Sequence, residues 1–339
     1  MQGSVVCFGE LLLRLGAPGA EPLLATPRLQ VCYGGAEANV AVGLAHLGHS
    51  VRMVSVLPQD NPLADATLGE LRRHGVDVSQ ISRAPGRMGL YFYQAGAMQR
   101  PAEVLYDRAG SAFALAVADA IDWRPALRGA ALLHVSGITP ALGPKGAAAA
   151  LRAVRAARRA GIQVSLDGNF RAKLWAAWEA DPAPILRGLL ENADVLFGDH
   201  RDLGLMLGQE FSAGTPQQRI RAAAAAAFAQ CPTLRTVVCT LRSHASVSSQ
   251  QLGALAVRRD GVYERPAVPL EGVIDRIGAG DAFAAGVVHG MLNDASPDRW
   301  LALGQAAACL KHALPGDCFT LGPQALADFL ADGGLDVKR

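Results

Sequence analysis

From about residue 36 onwards, short apolar runs alternate with longer alanine-rich segments. Each apolar run ends near Gly, Asp, Asn or Pro, and this alternation is typical of strands and crossover helices in a mostly parallel sheet. The predicted strands are SVVCFG, VRMVSVL, ALLHVSG, QVSLDGN, ADVLFGD and TVVCTL. The predicted helices include EANVAVGLAHLG, AAAALRAVRAARRAG and RIRAAAAAAFAQC. The pattern indicates an α/β protein.

Two segments interrupt this alternation, residues 11–33 and residues 86–112. Within the second segment, GLYFYQAG and AEVLYDRAG are aromatic-bearing runs separated by a turn-like stretch. Such a pair predicts an antiparallel hairpin rather than a strand–helix–strand unit. We therefore expect a small all-β element beside the main sheet.

Length and charge narrow the classes of partner. The chain has 339 residues, half of them apolar, which is enough for one large domain with an appendage or for two domains. Its net charge of +2 is spread over mixed positive and negative residues. No basic block favours nucleic acid or an anionic membrane, so we expect a small-molecule partner.

The cysteines and the N-terminal segment indicate the cellular compartment in which the protein is expected. The six cysteines form no CxxC pair, so neither a zinc site nor a disulfide framework is expected. The segment MQGSVVCFGELLLRL lacks the features of a signal peptide, and no apolar stretch reaches the roughly 20 residues of a spanning helix. These observations predict a cytoplasmic protein.

The stretch VIDRIGAGDAFAAGVVHGML, residues 273–292, places Asp281 at the first turn of a predicted helix. Helix N-termini leave amides unpaired and positively polarised, and glycines let those amides approach a ligand, so the turn suits an anion. It is not a Walker A loop, because the chain contains no G-x-x-x-x-G-K-[ST]. It is not a dinucleotide fingerprint either, since Phe283 stands where the third glycine belongs.

A carboxylate beside an anion site suits phosphoryl transfer. Backbone amides would neutralise charge on the transferred group, while the carboxylate would orient and deprotonate an attacking hydroxyl. The turn alone is equally compatible with Asp281 acting only as a favourable acidic residue at a helix N-terminus.

Two motifs together identify a family. DRIGAGDAFAAG resembles the C-terminal signature of the ribokinase-like (PfkB) sugar kinases, and GGAEANVAVGLAHLG, residues 34–48, resembles their N-terminal signature. Within that family the chain is most similar to 2-keto-3-deoxygluconate kinases. The matching stretches are GLYF, VLYDRAGSA, SGITPALG, LDGNFRAKLW, DRIGAGD and LKHALPGD.

The resemblance implies a ribokinase-like α/β fold, with a mostly parallel sheet flanked by helices and a small β-sheet lid. It implies one kinase domain over residues 1–339. The core would comprise about 1–10, 34–86 and 110–339, and the lid about 11–33 and 87–109.

The resemblance also implies an activity. ATP with Mg²⁺ would phosphorylate the terminal (C6) hydroxyl of 2-keto-3-deoxygluconate, with Asp281 as base and the turn from Gly278 to Gly280 as anion hole. Related enzymes often respond to K⁺ near this turn and commonly pair their lids, so a monovalent cation and a homo-oligomer are further expectations. The alternatives are a kinase of fructose, ribose or 5-dehydro-2-deoxygluconate, or a non-catalytic sugar-sensing protein.

Because a 2-keto-3-deoxy acid carries a carboxylate, its pocket should contain an arginine that can grip it in two-pronged fashion. The resemblance assigns the catalytic turn to Gly278, Ala279, Gly280 and Asp281. It assigns sugar contacts to Gly34, Gly35, Asn39, Tyr91, Tyr106, Arg108, Arg171 and Asp317. It assigns nucleotide contacts to Asn169, Arg171, Thr240, Arg242, Gly253, Gly278 and Gly280. Taken singly, the tyrosines also suit strand packing, the arginines surface charge and Asp317 a Pro-Gly turn; the ordered set favours a site.

The chain departs from the broad family at the nucleotide side. TLRSHASVSSQQLGA, residues 240–254, replaces a short T-L-G-x-x-G turn, so the contact of this insert with ATP is open. Arg276 follows Asp275 and either adds a cation near the phosphates or pairs with Asp275. Asp167 and Asp275 are the candidate Mg²⁺ contacts through water, and Asp167 is equally compatible with capping a turn.

Overall fold

The computed structural model describes residues 3–25, 27–244, 246 and 249–331. The strands, in chain order, are β1 Ser4–Phe8, β2 Leu12–Gly16, β3 Gln30–Gly34, β4 Val51–Pro58, β5 Asp77–Ala84, β6 Gly89–Gln94, β7 Glu103–Asp107, β8 Ala130–Ser136, β9 Gln163–Asp167, β10 Val195–Phe197, β11 Thr236–His244, β12 Ser249–Arg258 and β13 Gly261–Glu271. The helices are α1 Ala36–His46, α2 Pro62–Arg73, α3 Ala112–Ala116, α4 Trp123–Ala126, α5 Pro144–Arg159, α6 Ala172–Trp175, α7 Pro182–Leu190, α8 His200–Leu207, α9 Pro216–Gln230, α10 Ala279–Leu292, α11 Pro297–Lys311 and α12 Pro323–Leu330.

The large sheet has nine strands in the order β13-β12-β11-β10-β9-β8-β1-β4-β5. The seven strands from β11 to β5 pair in parallel, and β12 and β13 extend the sheet in antiparallel fashion. All six predicted strands are present, as β1, β4, β8, β9, β10 and β11, and the three predicted helices are α1, α5 and α9. The α/β fold with a mostly parallel sheet is confirmed.

A separate four-stranded sheet has the order β3-β2-β6-β7. Strands β6 and β7 form the predicted antiparallel hairpin, and β3 pairs with β2 in the same antiparallel sense. Strands β2 and β6 pair in parallel across the middle of this small sheet, a detail that the sequence did not indicate. Both interrupting segments therefore contribute strands to one all-β element.

Within the insert, residues 240–244 and 249–254 form part of a long hairpin. Strand β11 continues past Thr240 as far as His244 and pairs with β12, with Thr240 opposite Ala254. Strand β13 was not predicted because Pro266 and Pro269 interrupt its sequence. Proline is tolerated there because β13 lies at the edge of the sheet, where a missing N–H is not needed.

Helix α10 is held close to its neighbours by glycines. A Cβ added at Gly290 would overlap Trp300 of α11, and one added at Gly43 of α1 would lie 3.0 Å from the Cβ of Ala285. Such close packing fixes the N-terminus of α10 beside the carboxyl ends of the parallel strands, where α/β sheets bind ligands. Among the residues described, no helix combines the length and the hydrophobicity needed to cross a membrane.

Candidate active site

Two cavities meet at the N-terminus of α10. The lid-side cavity, about 600 Å³, lies between the small sheet and the carboxyl ends of the large sheet. The helix-side cavity, about 660 Å³, lies between strands β10 and β11 and helices α8 and α9. Four residues line both cavities: Asp167, Thr240, Arg242 and Gly280. A ligand in one cavity can therefore touch a ligand in the other.

The turn before α10 depends on glycine at two positions. Gly278 has φ of 77° and caps the helix, and a Cβ added there would overlap the carbonyl oxygen of Asp317. A Cβ added at Gly280 would meet nothing within 4 Å, so the backbone there faces open space. The first-turn amides of a helix have no carbonyl partner one turn earlier, and this one presents them where the cavities meet.

Asp281 lies in that first turn and lines the lid-side cavity. The side-chain amide of Asn39 donates a hydrogen bond of 2.6 Å to Asp281 Oδ2. Burial raises the pKa of Asp281 to about 7, and the negative charges of Glu37 and Asp317 act in the same direction, whereas Asn39 and Arg171 oppose the rise. A carboxylate with a pKa near neutrality is well matched to proton transfer.

Asn39 was predicted to contact the sugar, yet its amide group faces Asp281. Its Nδ2 donates to Asp281, while its Oδ1 accepts from the thiol of Cys318 at 3.5 Å. Both ends of the amide are thus held by protein groups. The sequence did not suggest this contact with Asp281; Asn39 also lines the lid-side cavity, and its contact with the sugar stays a prediction.

Arg108 lines the lid-side cavity, as predicted, but it is paired with Glu10. Its Nε and Nη2 lie 2.7 Å and 2.6 Å from Glu10 Oε2, and both side chains are buried. Glu10 also accepts from the hydroxyl of Ser111 at 2.5 Å. A buried guanidinium requires such a counter-ion, and with Nε and one Nη2 hydrogen engaged, Nη1 and the second Nη2 hydrogen remain for the expected two-pronged grip.

Glu37 is a second buried carboxylate that the sequence analysis did not single out. It is 1% exposed, lines the lid-side cavity and accepts from the hydroxyl of Ser136 at 2.5 Å. Burial raises the pKa of Glu37. Its place in the first turn of α1, within GGAEAN, was the available signal.

Of the two alternatives for Arg276, the described contacts of Asp275 do not favour the pairing with Asp275. Asp275 is bound instead by Arg14, with 2.7 Å between Arg14 Nη2 and Asp275 Oδ2, and by the amides of Ile277 and Gly316. Arg276 lines the lid-side cavity. Because the oxygens of Asp275 are occupied by protein donors, its predicted contact with Mg²⁺ is not supported.

Three arginines, Arg171, Arg242 and Arg276, line the lid-side cavity, and Arg242 lines the helix-side cavity as well. The pKa of Arg242 is lowered to about 10, first by burial and then by the positive charge of Arg276. Two guanidinium groups held near each other favour an anion between them. The predicted nucleotide contacts at Arg171, Thr240 and Arg242 are therefore brought together on a positively charged wall.

Asp167 and Asp202 both line the helix-side cavity, and Asp167 lines the lid-side cavity as well. Burial raises the pKa of both groups, and the negative charges of Asp281 and Asp202 raise that of Asp167 further. A divalent cation would offset this repulsion, and Mg²⁺ is usually bound by one or two carboxylates together with phosphate oxygens. Asn169, with φ of 40°, lies beside Asp167 and lines the lid-side cavity. Asp202 was not predicted.

The small sheet supplies Tyr91 and Tyr106 to the lid-side cavity, as predicted. The hydroxyl of Tyr91 donates to Asp317 Oδ2, and Arg14 Nη1 lies 3.1 Å from Asp317 Oδ1. Burial raises the pKa of Asp317, while the charge of Arg14 opposes the rise. Arg14 lies within the apolar run LLLRLG and was missed; a single charge in such a run was the available signal.

Two predicted contacts lie away from the lid-side cavity. Gly34 borders a third cavity of about 500 Å³ behind Asp317, and a Cβ added at Gly34 would overlap the Asp317 carboxylate. Gly253 lies in β12 opposite Leu241, because the insert continues the hairpin, and it lines none of the cavities described here. Gly35, the N-cap of α1 with φ of 140°, does line the lid-side cavity.

Comparisons with known proteins agree with this fold. The model of the pfkB family carbohydrate kinases matches residues 2–321. A 2-dehydro-3-deoxygalactonokinase from Haloferax volcanii is 33% identical, with 100% of both chains covered. The crystal structure of a 2-dehydro-3-deoxygluconokinase from Thermotoga maritima has a TM-score of 0.91 at 35% identity, covering 97% of this chain and 99% of that one.

A more distant structure, a ribokinase II from Escherichia coli solved with ATP and Mg²⁺, has a TM-score of 0.81 at 19% identity. It covers 97% of this chain and 99% of that one. This likeness extends the agreement in fold beyond the more similar relatives.

The two glycines of the turn should differ sharply when each is replaced by alanine. Gly278→Ala should lower the free energy of unfolding by about 2 kcal/mol or more, because the added methyl group meets backbone at a left-handed φ. Gly280→Ala should unfold like the wild type, because its Cβ enters open space. Urea unfolding followed by circular dichroism measures both, and equal losses for the two variants would contradict the described turn.

Proposed function

Because the chain belongs to the pfkB family of carbohydrate kinases, we propose that it transfers phosphate from ATP to the C6 hydroxyl of 2-keto-3-deoxygluconate. The observation that carries the proposal is the position of Asp281. Its carboxylate has a pKa of about 7 and lies in the first turn of α10, where the lid-side and helix-side cavities meet.

Asp281 acts as the base in this reaction. The sugar occupies the lid-side cavity with its terminal hydroxyl against Asp281, and Asn39 keeps the accepting oxygen in place. As the hydroxyl oxygen forms its bond to the γ-phosphorus, its proton passes to Asp281 and the bond from phosphorus to the bridging oxygen of ADP breaks. Amides of the turn from Gly278 to Gly280 stabilise the charge of the transferred group.

The nucleotide occupies the helix-side cavity. Arg242 lines this cavity and faces the phosphates, while Arg171 and Arg276 reach the γ-phosphate from the lid-side cavity. The open space at Gly280 admits the phosphates close to the helix amides. Bound Mg²⁺ would offset the negative charge of the phosphates, and Asp167 with Asp202 fits its preference for carboxylate oxygens. A K⁺ requirement remains an expectation from the resemblance.

Charge supports a sugar acid as the acceptor. The lid-side cavity contains Arg171 and Arg276 as well as the free Nη1 of Arg108, so a substrate carboxylate would find a cation on more than one side. The relative that is 33% identical over the whole chain is named for the galacto epimer. The C4 epimer of 2-keto-3-deoxygluconate is therefore the second candidate.

A comparison of acceptors tests the substrate assignment. ADP release with Mg²⁺-ATP should give the highest kcat/KM for 2-keto-3-deoxygluconate or its C4 epimer, when 5-dehydro-2-deoxygluconate, fructose and ribose are tested at matched concentrations. A preference for fructose or ribose would contradict the charge argument while leaving the family intact. Absence of turnover with every acceptor would favour the non-catalytic alternative.

Replacement of Asp281 tests the base. Asp281→Asn should retain ATP and sugar binding but lower kcat by about 10²–10⁴-fold. In the wild type, kcat should fall as the pH drops through about 7, because protonated Asp281 cannot accept the proton. Asp298→Asn is the matched control, an exposed aspartate in the first turn of α11. Turnover of Asp281→Asn at the wild-type rate would refute the assignment.

We also propose that two copies associate through the small sheet. Its face opposite the lid-side cavity carries one row of apolar side chains in register across all four strands. These residues are Val31, Leu15, Phe92 and Leu105, of which Val31 is 53% exposed and Leu105 60% exposed. Burying such a row against a second copy would remove it from water.

Sedimentation of a charged variant tests this association. The wild type should be a dimer or larger at micromolar concentration, and Leu105→Asp should be a monomer with unchanged helix content. Leu63→Asp, at a 49% exposed leucine of α2, should sediment like the wild type. A monomeric wild type, or a dimer that survives Leu105→Asp, would contradict association through this face.

A further inference from the structure

Arg14 is a buried arginine that joins the small sheet to the catalytic side of the molecule. It lies in β2, is 5% exposed, and places its guanidinium 5.1 Å from the ring centre of Tyr93 on the same small sheet. Its Nη2 lies 2.7 Å from Asp275 and its Nη1 lies 3.1 Å from Asp317. One side chain of the small sheet therefore pairs with two carboxylates: Asp275, which precedes α10, and Asp317, which follows α11.

The first of these carboxylates shapes the turn before α10. Asp275 Oδ1 accepts from the amide of Ile277 at 3.0 Å, and Asp275 Oδ2 accepts from the amide of Gly316 at 3.1 Å. Ile277 immediately precedes Gly278. Arg14 thus holds the Asp275 carboxylate, and that carboxylate fixes the backbone of Ile277 just before the anion-binding turn.

The second carboxylate, Asp317, lines the lid-side cavity. It is 3% exposed and receives the hydroxyl of Tyr91 at Oδ2. The charged and titratable groups that act on it are Arg14 from β2, Tyr91 from β6, Asp275 from the turn, Lys311 from α11 and Asp281 from α10.

Of the two cations in this set, Lys311 is directed elsewhere, with its Nζ donating to the carbonyl of Leu314 at 2.9 Å. Arg14 contacts Asp317 itself. Burial alone would favour the neutral acid, and a neutral carboxyl group would lose acceptor capacity for a sugar hydroxyl. The side chain of Arg14 is the group whose removal should change the charge of Asp317 most.

We propose that Arg14 is a positioning residue for the sugar: it keeps Asp317 charged and oriented as an acceptor for a substrate hydroxyl and, through Asp275, fixes the turn that carries Gly278. The inference rests on the proposed sugar site but not on which sugar fills it. It assigns to this side chain a part in substrate affinity although Arg14 does not itself line the lid-side cavity.

The pH dependence of sugar affinity tests the proposal. The acceptor comparison first identifies a sugar that the wild type phosphorylates, and KM for that sugar is then measured between pH 6 and 8.5. Arg14→Gln should raise KM about tenfold relative to the wild type at pH 6 and about twofold at pH 8.5, since one pKa unit is a tenfold change in charge state. Because the charge of Asp317 also acts on Asp281, KM is compared rather than kcat, and the Asp317→Asn background separates the two carboxylates.

A double-mutant cycle shows whether Arg14 acts through Asp317. In an Asp317→Asn background, Arg14→Gln should raise KM by a similar factor at every pH, because no carboxylate remains to be kept charged. A merely structural role would instead raise KM equally at all pH values in both backgrounds. That result, or a pH-dependent effect that persists in Asp317→Asn, would overturn the proposal.

Arg14→Lys serves as the conservative variant and as the fallback if Arg14→Gln does not fold. One ammonium cannot bridge both carboxylates as the guanidinium does, so KM should rise about threefold at pH 6 and return towards the wild-type value at pH 8.5. The proposal would also be contradicted if KM for Arg14→Lys depended on pH as it does in the wild type and, where Arg14→Gln folds, KM for that variant did so too. Because every value is taken with a sugar that turns over, a wrong sugar assignment leaves this test intact.

Discussion

The contact between Gly278 and the backbone of Asp317 is the constraint on which the site depends. No side chain fits between them, and the left-handed φ of Gly278 starts α10 at that point. From there the first turn places Asp281 and the open backbone of Gly280 where the two cavities meet. Close packing against α1 and α11 holds the rest of α10 in place. Base and anion-binding amides thus take their positions from one helix end.

Charge balance is the second organising feature. The carboxylates of the lid-side cavity are divided between those with a cationic partner and those without one. Glu10 is paired with Arg108, and Asp317 with Arg14, whereas Asp281 is held by the neutral amide of Asn39. Burial raises the pKa of Asp281 to about 7, against the hydrogen bond from Asn39. A base for a sugar hydroxyl needs this intermediate state, because a carboxylate held firmly by an arginine would accept a proton poorly.

The sequence predicted the parts of this structure that local patterns encode. Apolar runs of strand length and the GAGD turn led directly to the large sheet and to the start of α10. The resemblance to the family pointed to Tyr91, Tyr106 and Arg108, and the two tyrosines lie on the aromatic hairpin that the sequence predicted. The pairing of Arg108 with Glu10, and of Arg14 with Asp275, joins residues 98 and 261 positions apart. No local sequence pattern predicts pairs this far apart, so the partners of both arginines could be identified only from the folded structure.

The insert at 240–254 is a second feature whose structure the sequence did not predict. Its many polar residues suggested a loop, but residues 240–244 pair with residues 250–254 across a hairpin. Gly253 therefore lies in strand β12. Pairing between β11 and β12 depends on a register that composition does not specify. Conversely, Asp202 resembled an ordinary helix residue and became a candidate metal contact only because α8 begins beside Asp167.

A crystal structure with 2-keto-3-deoxygluconate and a non-hydrolysable ATP analogue would test the central claim most directly. The account predicts the terminal hydroxyl of the sugar within about 3 Å of an Asp281 carboxylate oxygen, with the γ-phosphate over the amides from Gly278 to Gly280. A sugar bound with its terminal hydroxyl away from Asp281, or a γ-phosphate held at another helix end, would contradict it.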